Sequence, residues 1–250
     1  MNRTGGPPGS RLAVVGLIPA AGYGTRLGGI AGSKELVEVG GRPVIDHLVD
    51  HLRAVPCDEL RVVTRPEKSD VVEYARQIGA RAIEGHPETL AHSIARGLEG
   101  LAEDAVVCLG FPDCLWEPLD GFRTLVAGVR EGAEVCLGLF RSNEPQRYDT
   151  VELEPDSERV VRVDVKPRAP VTSLVWGCAA GRVRALTSLR GERNPGLYFG
   201  RLCRDGTVTG RRLSDTWIDV GVRPALAAAQ RAGGAPAAAT FDAAAGSLAQ

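Results

Sequence analysis

The sequence predicts an α/β fold: a three-layer α/β/α domain around a mixed, mainly parallel sheet with a small β extension. The apolar content opens with a β-branched run, LAVVGLI, that empties into the small-residue loop PAAGYG. As far as residue 140, short apolar runs then alternate with helical periodicity, the rhythm of strands joined by helical crossovers. Between residues 150 and 178 extended runs instead follow one another, the first two parted only by the polar turn EPDSE, and this marks the β extension.

Residues 1–10, MNRTGGPPGS, offer nothing to pack and are expected as a disordered lead before a domain over residues 11–232. The first strand is expected over 12–18. Val44, Ile45, Leu48, Val49 and Leu52 recur at helical spacing behind Arg42 and Pro43, a proline suited to a first helical turn. Residues 60–64 read as a strand, 68–78 as a helix presenting Val71, Val72, Ala75 and Ile78, and 81–83 as a short strand. Leu90, Ile94, Leu98 and Leu101 mark one helix face, and 105–109 form a buried strand ending at the loop GFPDC. A helix over 119–130 and a strand over 134–140 complete the alternation, with right-handed crossovers. The extension comprises 150–153, 160–165 and 171–178 and suits an inserted lid. Short helices over 182–189 and 196–204, a strand over 208–213, a loop TWIDVG and a last helix over 224–232 follow. Residues 233–250, rich in Ala and Gly, are expected as a flexible tail.

Charged residues make up 24% and hydrophobic ones 44%, with a formal net charge of -1, an ordinary globular composition. No basic block is present, which argues against nucleic acid and anionic membrane as partners, since both are bound through clustered Lys and Arg. No apolar run approaches the ~20 residues of a membrane span. The N-terminus lacks a signal peptide's apolar core, and the six cysteines are scattered without a CxxC pair. They read as reduced, mostly buried thiols in a cytoplasmic protein.

The loop after the first strand carries the chemistry. A parallel sheet binds ligands at the carboxyl ends of its strands, and the first such loop is a common phosphate cradle. Ala20, Ala21, Gly22, Gly24 and Thr25 are small enough to let backbone N–H groups approach phosphate oxygens. Arg26 can grip phosphate bidentately and Lys34 adds a mobile point charge. The spacing matches neither GxGxxG nor GxxxxGK[ST].

The run IPAAGYGTRLGGIAGSKELVEVGGRPVIDHLV resembles the signature of sugar-1-phosphate nucleotidylyltransferases, the glucose-1-phosphate thymidylyl- and uridylyltransferases among them. ETLAHSIARGLEGL before LGFPD, the pair Lys166-Pro167 and WIDVGVRPAL follow in that family's order. The resemblance implies a Rossmann-like nucleotide-diphospho-sugar transferase fold. It also implies coupling of a nucleoside triphosphate (dTTP, UTP or CTP) to a sugar-1-phosphate or similar phosphorylated acceptor. In-line attack on the α-phosphate would release pyrophosphate, with positioning and charge neutralisation as the main catalytic devices. Asp113 and Asp219 match the family's metal-binding aspartates and would hold Mg²⁺. Arg26, Lys34 and Lys166 match its catalytic cations, and Glu84 and Thr89 stand near the positions that read the base.

Four departures accompany the resemblance, one of them FPD in the second metal loop where a bare Gly-Asp is usual. The segment between Arg26 and Lys34 is short, as in cytidylyltransferases. Val165 stands where an acidic residue usually binds sugar hydroxyls, and Asp149 where glycine is usual. The nucleotide half of the site therefore reads as better kept than the acceptor half. A glycosyltransferase on the same fold and a catalytically silent nucleotide-binding regulatory protein are the alternatives, and a homo-oligomer is compatible with the sequence.

Overall fold

A computed structural model describes residues 12–24, 32–221 and 223–231. The expected lead, the expected tail, and two site candidates, Thr25 and Arg26, lie outside the described residues. In chain order the elements begin with β1 (Val14–Pro19), a 3-10 turn (Lys34–Leu36), β2 (Glu38–Val39), β3 (Arg42–Pro43) and α1 (Val44–Arg53). Next come β4 (Glu59–Thr64), α2 (Ser69–Gln77), β5 (Arg81–Glu84), α3 (Leu90–Gly97), β6 (Val106–Gly110), β7 (Cys114–Trp116) and α4 (Gly121–Arg130). The remainder is β8 (Val135–Arg141), β9 (Thr150–Leu153), β10 (Val160–Asp164), β11 (Leu174–Arg182), α5 (Val183–Leu186), α6 (Pro195–Leu202), β12 (Val208–Ser214), β13 (Trp217–Asp219) and α7 (Arg223–Arg231).

The main sheet has nine strands, with the path β10-β9-β11-β6-β1-β4-β5 and with β8 and β12 branching from β11. β1 lies parallel between β4 and β6, so its apolar run is buried on both faces. Alternation along β1 divides the core. Val14 and Ile18 join α1, α2 and α4 on one face, while Val15 and Leu17 join α3, α5 and α6 on the other. Gly16 marks a close approach, because a Cβ there would stand 2.5 Å from the Leu60 side chain. No helix among the described residues is long and apolar enough to cross a membrane. All six cysteines are free thiols, five of them buried.

Two expectations are corrected. The extension of the sheet at residues 150–178 is present as expected, but it is not an inserted lid. β9 and β10 continue the main sheet, and β11, nine residues long, runs antiparallel to β6, β8 and β9 through its middle. Its sequence, LVWGCAAGR, is buried over eight residues, which a continuous apolar run permits and an exposed flap would not. The TWIDVG segment is not simply a loop. Trp217–Asp219 pairs antiparallel with Cys114–Trp116 as a separate ladder of two strands. Three-residue strands are too short to leave a period in the sequence, and this pair joins segments about a hundred residues apart.

Candidate active site

β1 delivers the loop at residues 20–24 to the carboxyl edge of the sheet. Ala20 is fully buried and its N–H donates to the Val63 carbonyl at 2.7 Å, so the loop leaves β1 still bound to β4. Ala21, Gly22 and Tyr23 then line a cleft of about 420 Å³. The Lys34 side chain crosses this loop. A Cβ on Gly24, whose φ is +67°, would sit 3.3 Å from it, so this position needs glycine for its conformation and for its space.

Across the cleft the two aspartates come together through the β7–β13 ladder. Asp219 pairs with Cys114, and the Val220 N–H donates to the Asp113 carbonyl at 2.9 Å. Asp113 and Asp219 thus share one end of a two-stranded ribbon, and both line the cleft. The Lys34 ammonium forms an ion pair with the Asp113 carboxylate, two groups that are nearly sequestered from solvent. Asp219 accepts a hydrogen bond from the Gly221 N–H at 2.8 Å. Burial, with the negative charge of Asp219 behind it, pushes the Tyr148 hydroxyl up to about 12. Tyr148 stands edge-on to Trp217, ring centroids 4.7 Å apart.

A cation held between Asp113 and Asp219 would meet hard oxygen donors, the chemistry Mg²⁺ prefers. Among the described residues no cluster of three or more His, Cys, Asp or Glu forms there. The remaining ligands would be substrate phosphates and water, which is the usual habit of Mg²⁺. Lys34 already places a positive charge on Asp113, so the donor set fits the ion.

The opposite end of the cleft is built from Asp149, Lys166, Trp176 and Asn194. Burial raises the Asp149 carboxyl above its ordinary value, offset in part by the Lys166 charge, the Trp176 indole and the Lys166 main chain. Lys166 itself holds φ +43°, a left-handed conformation that costs a non-glycine residue about 1 kcal/mol. A side chain on Gly196 would strike Asp149, its Cβ 2.3 Å from Oδ2. Asn194 caps α6, accepting from the Gly196 N–H at 2.6 Å.

The structure therefore gathers Ala21, Gly22, Lys34, Thr89, Asp113, Lys166 and Asp219 around one cleft. Thr89 also caps α3, its hydroxyl accepting from the His92 N–H at 3.1 Å. Ala20 lies behind the cleft with its N–H committed, and Glu84 is not among the lining residues. Glu84 ends β5 with an exposed side chain, and its carbonyl takes the Arg96 guanidinium. Sequence reasoning missed Arg65, Glu35 and Lys68. Arg65 lines the cleft, donates to the Ala21 carbonyl at 2.8 Å and lies 4.1 Å over the Tyr23 ring. Its signal was the one applied to Arg26, a cation just past a strand end, here in TRPEK.

A model of the MobA-like NTP transferase domain family matches residues 16–194. The chain is 32% identical over 148 residues to the bifunctional protein GlmU of Gluconobacter oxydans (strain 621H), covering 59% of this chain and 32% of that protein. It is 30% identical over 198 residues to the 3-deoxy-manno-octulosonate cytidylyltransferase of Thioalkalivibrio sulfidiphilus (strain HL-EbGR7), 74% of each chain. The chain thus spans about a third of the length of the GlmU relative. A solved Bacillus anthracis structure, provisionally designated a glucose-1-phosphate thymidylyltransferase and holding sucrose, superposes with TM-score 0.78 at 21% identity. It covers 89% of this chain and 96% of that one, which shows the fold.

Proposed function

The chain belongs to the MobA-like NTP transferase domain family, and from its cleft we propose that it transfers a nucleotidyl group from a nucleoside triphosphate to a phosphorylated acceptor of the sugar-phosphate kind. One observation carries the reading. The β7–β13 ladder sets Asp113 and Asp219 side by side across from the small-residue loop, with Lys34 reaching between the two walls. The name of one relative supports the nucleotidyl transfer, since it is a 3-deoxy-manno-octulosonate cytidylyltransferase.

An acceptor phosphate oxygen attacks the α-phosphorus in line. The bond from that phosphorus to the α,β-bridging oxygen breaks, and pyrophosphate leaves with the electron pair. The amides of Ala21, Gly22 and Tyr23 cradle the phosphates. Lys34 trades its bond to Asp113 for the charge developing on the leaving group, joined by Arg26. Lys166 binds the acceptor phosphate from the other end and holds it opposite the bond that breaks. Bound Mg²⁺, held by Asp113 and Asp219, would neutralise phosphate charge and orient the triphosphate.

Pyrophosphate release tests the proposal, with dTTP, UTP and CTP each offered against a panel of sugar phosphates in the presence of Mg²⁺. Asp113→Ala and Asp219→Ala should each lower turnover by about a thousandfold, because each removes an oxygen ligand from a charge-neutralising centre. Undiminished turnover in both variants would remove the two aspartates from the mechanism. No pyrophosphate from any pairing would favour a nucleotide-binding role without turnover.

A further inference from the structure

Lys68 lies outside the cleft, yet it holds the cleft's phosphate loop. Its ammonium donates to the Ala20 carbonyl at 2.8 Å and the Gly22 carbonyl at 3.1 Å, and pairs with the Glu35 carboxylate at 2.5 Å. Arg65 takes the carbonyl in between, that of Ala21, at 2.8 Å. In a trans peptide the carbonyl of one residue and the N–H of the next point in opposite directions. Capture of the Ala20 and Gly22 carbonyls from behind therefore turns the Ala21 and Tyr23 N–H groups away from Lys68, toward the cleft. Arg65, which itself lines the cleft, holds the Ala21 carbonyl and so fixes the peptide between Ala21 and Gly22. None of these amides donates to another group among the described residues.

The same turn of chain fixes the far side of the loop. Glu35 is fully buried and follows Lys34 directly, so its ion pair with Lys68 sets the turn from which Lys34 reaches Asp113. Asp70, two residues beyond Lys68, accepts both the Ser33 N–H and the Ser33 hydroxyl at 2.8 Å. The first turn of α2 thus clasps residues 20–22 with one hand and 33–35 with the other.

We propose that Lys68, with Arg65 beside it, is a positioning residue that orients the phosphate-binding amides and joins the two ends of their loop through Glu35. It touches no substrate. Its part is to have the amides already turned before a triphosphate arrives, which lowers the ordering cost of binding. The inference rests on the nucleotide-binding reading above.

The test uses the full chain. Lys68→Met alone strands the buried Glu35 carboxylate and risks misfolding, so Glu35→Gln/Lys68→Met, which removes both charges, is the decisive variant, and Lys68→Arg is the rescue. Calorimetry with inorganic tripolyphosphate and with Mg²⁺-UTP and Mg²⁺-CTP should show at least about tenfold weaker binding in the double variant, since charge-assisted hydrogen bonds lose their alignment. Lys68→Arg should recover most of it. In the free protein, NMR order parameters of the Ala21, Gly22 and Tyr23 amides should fall from a rigid value of about 0.85 toward about 0.6. Unchanged affinity together with an unchanged rigid loop in the double variant overturns the proposal. If the wild type binds none of these probes, the nucleotide reading fails, and the order parameters still decide whether Lys68 holds the loop.

Discussion

The two ends of the cleft are made of different material. The end at residues 20–24 presents main chain, with side chains held to alanine and glycine or turned outward, and its cations stand behind it, cross over it or, as Arg65 does, line the cleft beside it. The end around Asp149 and Lys166 presents side chains: a carboxylate, an ammonium, an indole and an amide. A main-chain cradle reads the charge and spacing of phosphate, which every nucleoside triphosphate shares. A side-chain cluster reads one particular partner, because each buried polar group left unmatched costs binding. On the proposed reading the family's common reaction draws on the first end, and the chain's own selectivity on the second.

Lys166 offers the largest expected separation of the two ends. Lys166→Ala keeps the cradle and removes the charge opposite it. The KM for the phosphorylated acceptor should rise about a hundredfold while nucleotide affinity, read by calorimetry, stays within about twofold of wild type, as expected when one charge-assisted contact is lost. Equal losses for both substrates would mean that the ends are not independent.

Gly196→Ala sharpens the same contrast with a smaller effect. The added methyl would overlap the Asp149 carboxylate and push it from its place beside Lys166. The acceptor KM should rise about tenfold, with nucleotide affinity again unchanged, because a displaced polar group loses roughly one hydrogen bond. A variant with wild-type KM would show that Asp149 faces α6 for structural reasons alone.

Legibility in the sequence follows the same division. The cradle could be read because its requirement is local: a buried strand, then small residues, then cations, all within a few dozen residues. Val14 to Ile18 were continuous in apolar character because both faces of β1 are covered. The aspartates could be placed only through the family resemblance. Their meeting depends on β7 and β13, two three-residue strands paired across the chain. The clasp at Lys68 and Glu35 left no pattern at all, since an acidic residue beside Lys34 and a lysine ahead of a helix each look like ordinary surface charge. Only the fold shows that Glu35 is fully buried. Glu84 shows the opposite limit: it stands near the cleft loop in sequence, and its side chain is exposed outside the cleft lining.

The smallest expected effect concerns the back of the cradle and has a definite sign. Burial raises the Glu35 carboxyl above its ordinary value of 4.5, with the Lys68 and Lys34 charges and hydrogen bonds offsetting only part of that rise. Between 4.5 and the raised value the folded chain holds more protons than the unfolded chain. Stability from this group is complete below 4.5 and is lost as pH climbs through the raised value. Glu35→Gln has no such proton to lose. Denaturant unfolding at a series of pH values should therefore show the stability of the wild type relative to Glu35→Gln falling as pH rises over that window, and level above it. A difference that grows with pH would mean that the attraction of Lys68 outweighs the cost of burial.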